Sequence, residues 1–327
     1  MIISRAPFRV SFCGGGSDIS AFYEKYGGCV LSCSICKYVY IALHPSFNKQ
    51  TITLKYSKTE EVNDFDEIEH KYFKIMLKDY DIKGVEIASM ADIPSGTGLG
   101  SSSAFTVATL TALKAYKKLS CSKYALASEA CEVEINKAGS PIGKQDQFAS
   151  AFGGLNFISF QKDGKVSVEP LLIPGDGVIR LQNNIMMFYT GLTHDANQIL
   201  SEQSKNIANK EDKINAQLKL CEMTKELKKH LEEGDVDYLG VILRESWEIK
   251  KTLSRGIANQ TIDSIYDKAL KAGAIGGKLL GAGGGGFMLF YAKPENQNKV
   301  REALNEYIEL DFKIDYEGAT IVYGLDK

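Results

Sequence analysis

Ala91-Asp92-Ile93-Pro94-Ser95-Gly96-Thr97-Gly98-Leu99-Gly100-Ser101-Ser102-Ser103-Ala104 joins an apolar, strand-like run to a long apolar helix through a turn of proline, glycine and serine. Alternating Gly96, Gly98 and Gly100 give the backbone conformations that a Cβ would forbid and let a bulky group approach the peptide planes. Ser101 to Ser103 then open the helix, so its unpaired N–H groups and positive dipole end point into the turn. The stretch reads as an anion cradle with hydroxyls at its lip. It is not a Walker loop, which needs Lys-Ser or Lys-Thr after the last glycine. It is not the dinucleotide fingerprint, which needs glycine where Ser101 stands. His-Arg-Asp and Asp-Phe-Gly, the marks of protein kinases, do not occur. A helix cap with flexible glycines fits the same letters, so other stretches must decide.

Upstream, Ile2 to Phe12 reads as one or two strands broken at Pro7, ending on Cys13-Gly14-Gly15-Gly16-Ser17-Asp18. A short helix over 19–26 follows, then β-rich runs over Cys29–Ser34, Tyr38–Leu43 and Thr51–Tyr56, a charged helix near 67–78 and a strand over 85–90. Downstream, helices run to Lys118 and over 123–137, the second ended by Ala138-Gly139-Ser140-Pro141. Ile142-Gly143-Lys144-Gln145-Asp146-Gln147 comes next, then a hairpin around Asp163-Gly164. From Asp195 to about Lys271 the chain is helical and amphipathic. Gly276 to Gly286 holds seven glycines in eleven residues, ahead of a strand over 287–291, a helix over 295–309 and two final strands. The pattern is α+β without regular strand-helix alternation, divided into residues 1–180 and 181–327.

At 327 residues the chain is long enough for two cores. A net charge of −2 gives no basic excess for nucleic acid or an anionic membrane surface. No uncharged apolar run is long enough to span a bilayer, and Met1 to Pro7 lacks the apolar centre of a signal peptide. Seven cysteines, an odd number scattered through apolar segments, fit reduced thiols and a cytoplasmic protein. Cys29, Cys33 and Cys36 read as small core residues, since Cys33 and Cys36 would face opposite sides of a strand.

Two glycine-rich loops and Gly14-Gly15-Gly16 at a strand end are hard to dismiss together. Pro7-Phe8-Arg9-Val10 through Asp18, Pro94 through Ala104, and Lys278 through Phe287 resemble, in order and spacing, the three motifs of the galactokinase, homoserine kinase, mevalonate kinase and phosphomevalonate kinase (GHMP) superfamily. Ala6 to Asp18, with its triple glycine, looks most like the D-glycero-D-manno-heptose 7-phosphate kinases, and Gly276 to Phe287 and Leu243 to Lys251 point the same way. The resemblance implies a β/α N-terminal domain, a ferredoxin-like C-terminal domain and an active site between them. It implies ATP and Mg²⁺, with Pro94, Gly96, Gly98, Leu99, Gly100, Ser101, Ser102 and Ser103 on the ATP phosphates. Ser102 and Glu134 match the family's metal site. Glu129 and Glu132 are rival helix acids, and the twelve-residue step to Asp146 favours Glu134.

Asp146 matches the catalytic aspartate and Arg9 the cation beside it. Alone, Asp146 would read as a helix cap and Arg9 as a strand-edge charge. Asp18 matches the sugar-binding acid, with Gly15, Gly16, Ser17, Lys144, Gly283 and Gly284 as further substrate contacts. The implied reaction is ATP-dependent phosphorylation of the anomeric hydroxyl of the heptose 7-phosphate, for nucleotide-activated heptose and surface polysaccharide. Rival readings are a fucokinase or galactokinase type of enzyme, or a ligand sensor on the same fold. A substrate phosphate needs a second cationic site, for which Lys144, Lys37, His194 and Arg255 are candidates by neighbourhood. An arginine expected near position 194 is missing from Gly191-Leu192-Thr193-His194-Asp195. The partners implied are ATP and a small sugar phosphate, and the helical block is left to cover the site or to form a homodimer surface.

Overall fold

Pro7 does not end the first strand: β1 (Ile2–Cys13) runs through it, and the two cysteine- and tyrosine-led runs belong to one long strand, β2 (Gly28–Pro45). Pro7 faces Tyr38 while Phe8 faces Ile35, so Cys36 and Lys37 bulge out where proline has no N–H to give the ladder. At the same point β2 changes its other neighbour. This switch is why its sequence looks like two strands. The computed structural model describes residues 1–192 and 196–324.

The first half continues with α1 (Ser20–Tyr26), β3 (Ile52–Lys55), β4 (Thr59–Val62), α2 (Lys71–Asp79) and β5 (Val85–Ala91). Then come α3 (Ser101–Tyr116), α4 (Lys123–Cys131), α5 (Gln145–Phe152), β6 (Leu155–Phe160), β7 (Val166–Pro170) and α6 (Gly177–Asn184). Residues 28–33 of β2 pair with β6 and residues 39–45 with β5, within one eight-stranded sheet. The glycine turn leaves β5 and enters α3, whose buried face packs on β1 and β2. Thr106 and Thr109, buried in that face, donate to the carbonyls of Ser102 and Phe105, so neither hydroxyl lacks a partner.

The second half holds β8 (Ile185–Tyr189), α7 (Ala196–Asn209), α8 (Glu211–Glu232), α9 (Tyr238–Lys251), α10 (Gln260–Lys271), β9 (Gly276–Leu279), β10 (Phe287–Tyr291), α11 (Pro294–Ala303), β11 (Ile308–Leu310) and β12 (Thr320–Tyr323). Four of its strands form an antiparallel sheet in the order β11-β8-β10-β9, with α9 packed on β9. The helix expected over 295–309 stops at Ala303, and β11 stands where its last turn was placed. Phe8, Val10 and Phe12 of β1 share a buried cluster with Trp247, Leu279 and Met288, so one strand serves both halves. We propose a division near residue 180, which falls within α6.

The chain returns to the first sheet at its far end. Thr320, Ile321 and Tyr323 of β12 pair with Arg5, Ser4 and Ile3. Ahead of them, Asp315 donates its N–H to Ser34 O at 2.9 Å, and Arg5 pairs with Glu317 at 2.8 Å.

Candidate active site

β1 carries Arg9 into the interior, where it is 5% exposed, and the first turn of α5 brings Asp146 to it from 137 positions away. Arg9 Nε donates to Asp146 Oδ1 at 2.6 Å and Nη2 to Oδ2 at 2.7 Å, a bidentate fork. Nη1 donates to Gly98 O at 2.7 Å, and the Arg9 N–H donates to Leu99 O at 3.0 Å. One arginine thus ties the glycine turn to the acid. Gly96, Gly98 and Gly100 all have positive φ. A Cβ on Gly98 would meet Leu280 O at 2.5 Å, because the second glycine loop packs directly on the first.

Beyond α4 the helix widens into a π turn over Glu132–Lys137, which the sequence reading took as plain helix. The turn sets Glu134 inward, fully buried, where Ser102 Oγ donates to it at 2.5 Å and Gln147 Nε2 at 2.7 Å. Its neighbours go elsewhere: Glu129 pairs with Lys114 at 2.6 Å, and Glu132 accepts from Asn136 on the surface. Burial pushes the Glu134 carboxyl up to about 7, and among the described residues it has no lysine or arginine as a salt-bridge partner. A buried carboxylate beside a hydroxyl oxygen and without a cation suits a hard divalent ion that keeps most of its water or phosphate ligands.

A cavity opens beside the Arg9–Asp146 pair, lined by Ser11, Gly15, Gly16, Asp18, Gln145, Gln203, Lys250, Lys278 and Gly281, among others. Asp18 is buried and accepts the N–H of Gly16 at 3.0 Å and of Gln145 at 3.2 Å. Gly143 is what makes room for it: a Cβ there would sit 1.9 Å from Asp18 Oδ2. Ser11 Oγ and Gln145 Oε1 are buried with no partner among the described residues. Unspent polar atoms of this kind fit a polyhydroxylated guest.

Burial, then the charge of Asp146, pushes the Asp18 carboxyl from 3.8 up to about 6. Between those two values the native protein holds a proton that the unfolded chain has lost, so stability falls as pH rises through that window. The expected loss through this group is roughly 3 kcal/mol over the whole window, about 2 kcal/mol of it above pH 4.5. Urea unfolding at pH 4.5 and pH 7 should show it as an acid-side gain that Asp18→Asn lacks. Equal pH dependence in both proteins would refute it.

Several expected contacts lie elsewhere. The Ser17 hydroxyl is fully buried and bridges the Cys29 backbone, donating to its C=O at 2.9 Å and accepting its N–H at 3.0 Å. Lys144 Nζ donates to Gly164 O at 2.8 Å and lies over the Tyr23 ring. Gly283 and Gly284 pack on Ile257, and Gly281 and Ala282 face the cavity instead. Arg255 is exposed, Lys37 does not line the cavity, and Thr193, His194 and Asp195 lie outside the described residues. The helical block does cover the site, through Leu200, Gln203 and Leu220 of α7 and α8. Sequence reasoning passed over Ser11, Gln145, Gln203, Lys250 and Lys278. The two lysines stood inside quoted motifs, but nothing in their letters marks a lysine as buried.

A family model described as GHMP kinases N terminal domain matches residues 68–154, and one described as GHMP kinases C terminal matches residues 223–310. The D-glycero-alpha-D-manno-heptose 7-phosphate kinase of Campylobacter jejuni is 31% identical over 97% of this chain and 97% of its own length. The chain belongs to the GHMP kinases. The crystal structure of a D-glycero-D-manno-heptose 1-phosphate kinase from Bacteroides thetaiotaomicron superposes on this GHMP kinase with a TM-score of 0.81, at 28% identity and covering 100% of both chains. The galactokinase of Thermotoga petrophila is 28% identical over 95% of each chain. This GHMP kinase is a sugar kinase with the two-domain α+β fold of its family, which uses ATP as phosphate donor. Among the described residues no helix is long and apolar enough to cross a membrane.

Proposed function

We propose that this GHMP kinase transfers the γ-phosphoryl group of ATP to the anomeric hydroxyl of D-glycero-D-manno-heptose 7-phosphate, giving the 1,7-bisphosphate in the cytoplasm, for nucleotide-activated heptose and surface polysaccharide. The observation that carries it is the Arg9–Asp146 fork, set between the glycine turn and a cavity of unspent polar atoms. The choice of a heptose phosphate rests on the relatives, two of which are named for phosphorylated heptose.

In this reading the turn from Pro94 to Ser103 cradles the outer phosphates of ATP with its N–H groups and hydroxyls. Ser102 and Glu134 would hold Mg²⁺, which when bound neutralises phosphate charge. Each Asp146 oxygen accepts from Arg9 and keeps a lone pair for the sugar hydroxyl, which it orients and from which it takes the proton. Arg9 holds that carboxylate in place and offers a permanent charge to the equatorial oxygens. Asp18, with Gly15 and Gly16 beside it, accepts sugar hydroxyls.

The test is ADP release with Mg²⁺-ATP and a panel of heptose 7-phosphate, galactose, fucose and mevalonate, with phosphorus NMR of the product. A new anomeric phosphate on the heptose phosphate alone is the expected result. Turnover of a free sugar would replace the substrate by the fucokinase or galactokinase reading. Silence across the panel would leave an untested substrate or a sensor on this fold.

A further inference from the structure

The cavity has a cationic wall that the roles above do not use. Lys278, on β9, is buried, and its Nζ donates to Ser11 O at 3.0 Å and to Phe12 O at 3.1 Å. Lys250, in the last turn of α9, donates to Gly281 O at 2.5 Å and reaches Leu279 O at 3.5 Å. Those carbonyls fix both ammonium groups but neutralise neither. The charged neighbours that act on Lys250 are Lys278 and Arg9, and those that act on Lys278 are Arg9 and the Cys13 thiol; no carboxylate is among them. Arg9, by contrast, already has a carboxylate partner in Asp146.

Burial pushes Lys278 down to about 8 and holds Lys250 well below the ordinary lysine range, with the charge of Lys278 and then of Arg9 lowering Lys250 further. Two lysines facing one cavity, each with a donor to spare, keep both charges when an anion shares the space, and shed protons when none does. With Arg9 they are the cations of the cavity wall among the described residues, while Lys144, Lys37 and Arg255 are engaged or placed elsewhere.

Taking this cavity as the acceptor site proposed above, we infer that Lys250 and Lys278 together grip a phosphate group there. Two sources share that chemistry: the phosphate an acceptor already carries, and the phosphoryl group in transit from ATP. The glycine loop that holds Lys250 also packs on Gly98, so both sources lie within the pair's neighbourhood.

Lys250→Met and Lys278→Met separate the sources. If the pair holds the acceptor's phosphate, KM for the heptose phosphate should rise about thirtyfold or more while kcat stays within about threefold. If it holds the group in transit, kcat should fall to the same degree while KM stays within about threefold. Changes under about twofold in every one of these constants would overturn the inference.

Where the panel finds no acceptor, the proposed function fails but the site can still be tested. With the nucleotide cradle filled by saturating ADP, inorganic phosphate should bind the unaltered chain and bind either variant roughly tenfold more weakly. Equal binding would refute the pair. Lys278→Gln, which keeps a donor for the Ser11 and Phe12 carbonyls, serves if the methionine variant does not fold. Rescue by Lys278→Arg distinguishes a lost charge from lost packing.

Discussion

Asp146→Asn should lower kcat by about 10³-fold or more and leave nucleotide affinity within about twofold. The reason lies in the fork. Both carboxylate oxygens accept from Arg9, at 2.6 and 2.7 Å. An asparagine keeps one acceptor and turns its NH₂ toward a guanidinium N–H, so one of the two bonds becomes a donor facing a donor. The side chain also loses the negative charge that would take the hydroxyl proton. The nucleotide is expected on the glycine turn, which the substitution leaves whole. Single-turnover ADP formation with titration of a fluorescent ATP analogue measures both quantities. Turnover within about tenfold of the unaltered enzyme would remove Asp146 from the chemistry.

Arg9→Met should cost both stability and rate. It removes three side-chain hydrogen bonds and leaves the Asp146 carboxylate, 22% exposed, facing an apolar chain. Breaking a buried pair by deleting one partner costs about 3–5 kcal/mol. The partial exposure of Asp146 lowers the expectation below that range, to about 2–3 kcal/mol. A further loss of about 10² to 10³ in kcat follows from removing a fixed charge at the transferring group. The double variant Arg9→Met/Asp146→Asn is expected to be more stable than Arg9→Met alone, because no unpaired charge remains. Denaturant unfolding of the four proteins gives the coupling, expected at about 1–3 kcal/mol. Additive losses would mean that the two residues act separately.

Much of the frame was legible because local rules governed it. The glycine-serine turn, its helix and the mixed α+β order follow from turn chemistry and apolar periodicity, which need no knowledge of distant residues. What escaped depended on tertiary partners. Pro7 looked like a break because a proline within a strand is tolerated only if the facing strand bulges, and the bulge lies at Cys36 and Lys37. The π turn inserts no special letter, yet it separates Glu134 from Glu129 and Glu132. Ser17 and Lys144 carry the right chemistry for a sugar, but Cys29 and Gly164 capture them first. Gly283 and Gly284 sit in a motif whose glycines serve the close approach of one backbone to another as much as any ligand.

The pairing of β12 with β1 bears on how the chain is made. A ribosome delivers Ile3 to Arg5 early, while their partners from Thr320 to Tyr323 arrive 315 residues after Arg5. Until then the nascent first sheet presents an open edge able to template pairing with another chain. Closing so distant a contact is slow, and partly built sheets of this kind are prone to associate. Release of a nascent chain truncated before Thr320 should therefore yield aggregate or chaperone-bound protein, even though the residues of the proposed site would all have been synthesised.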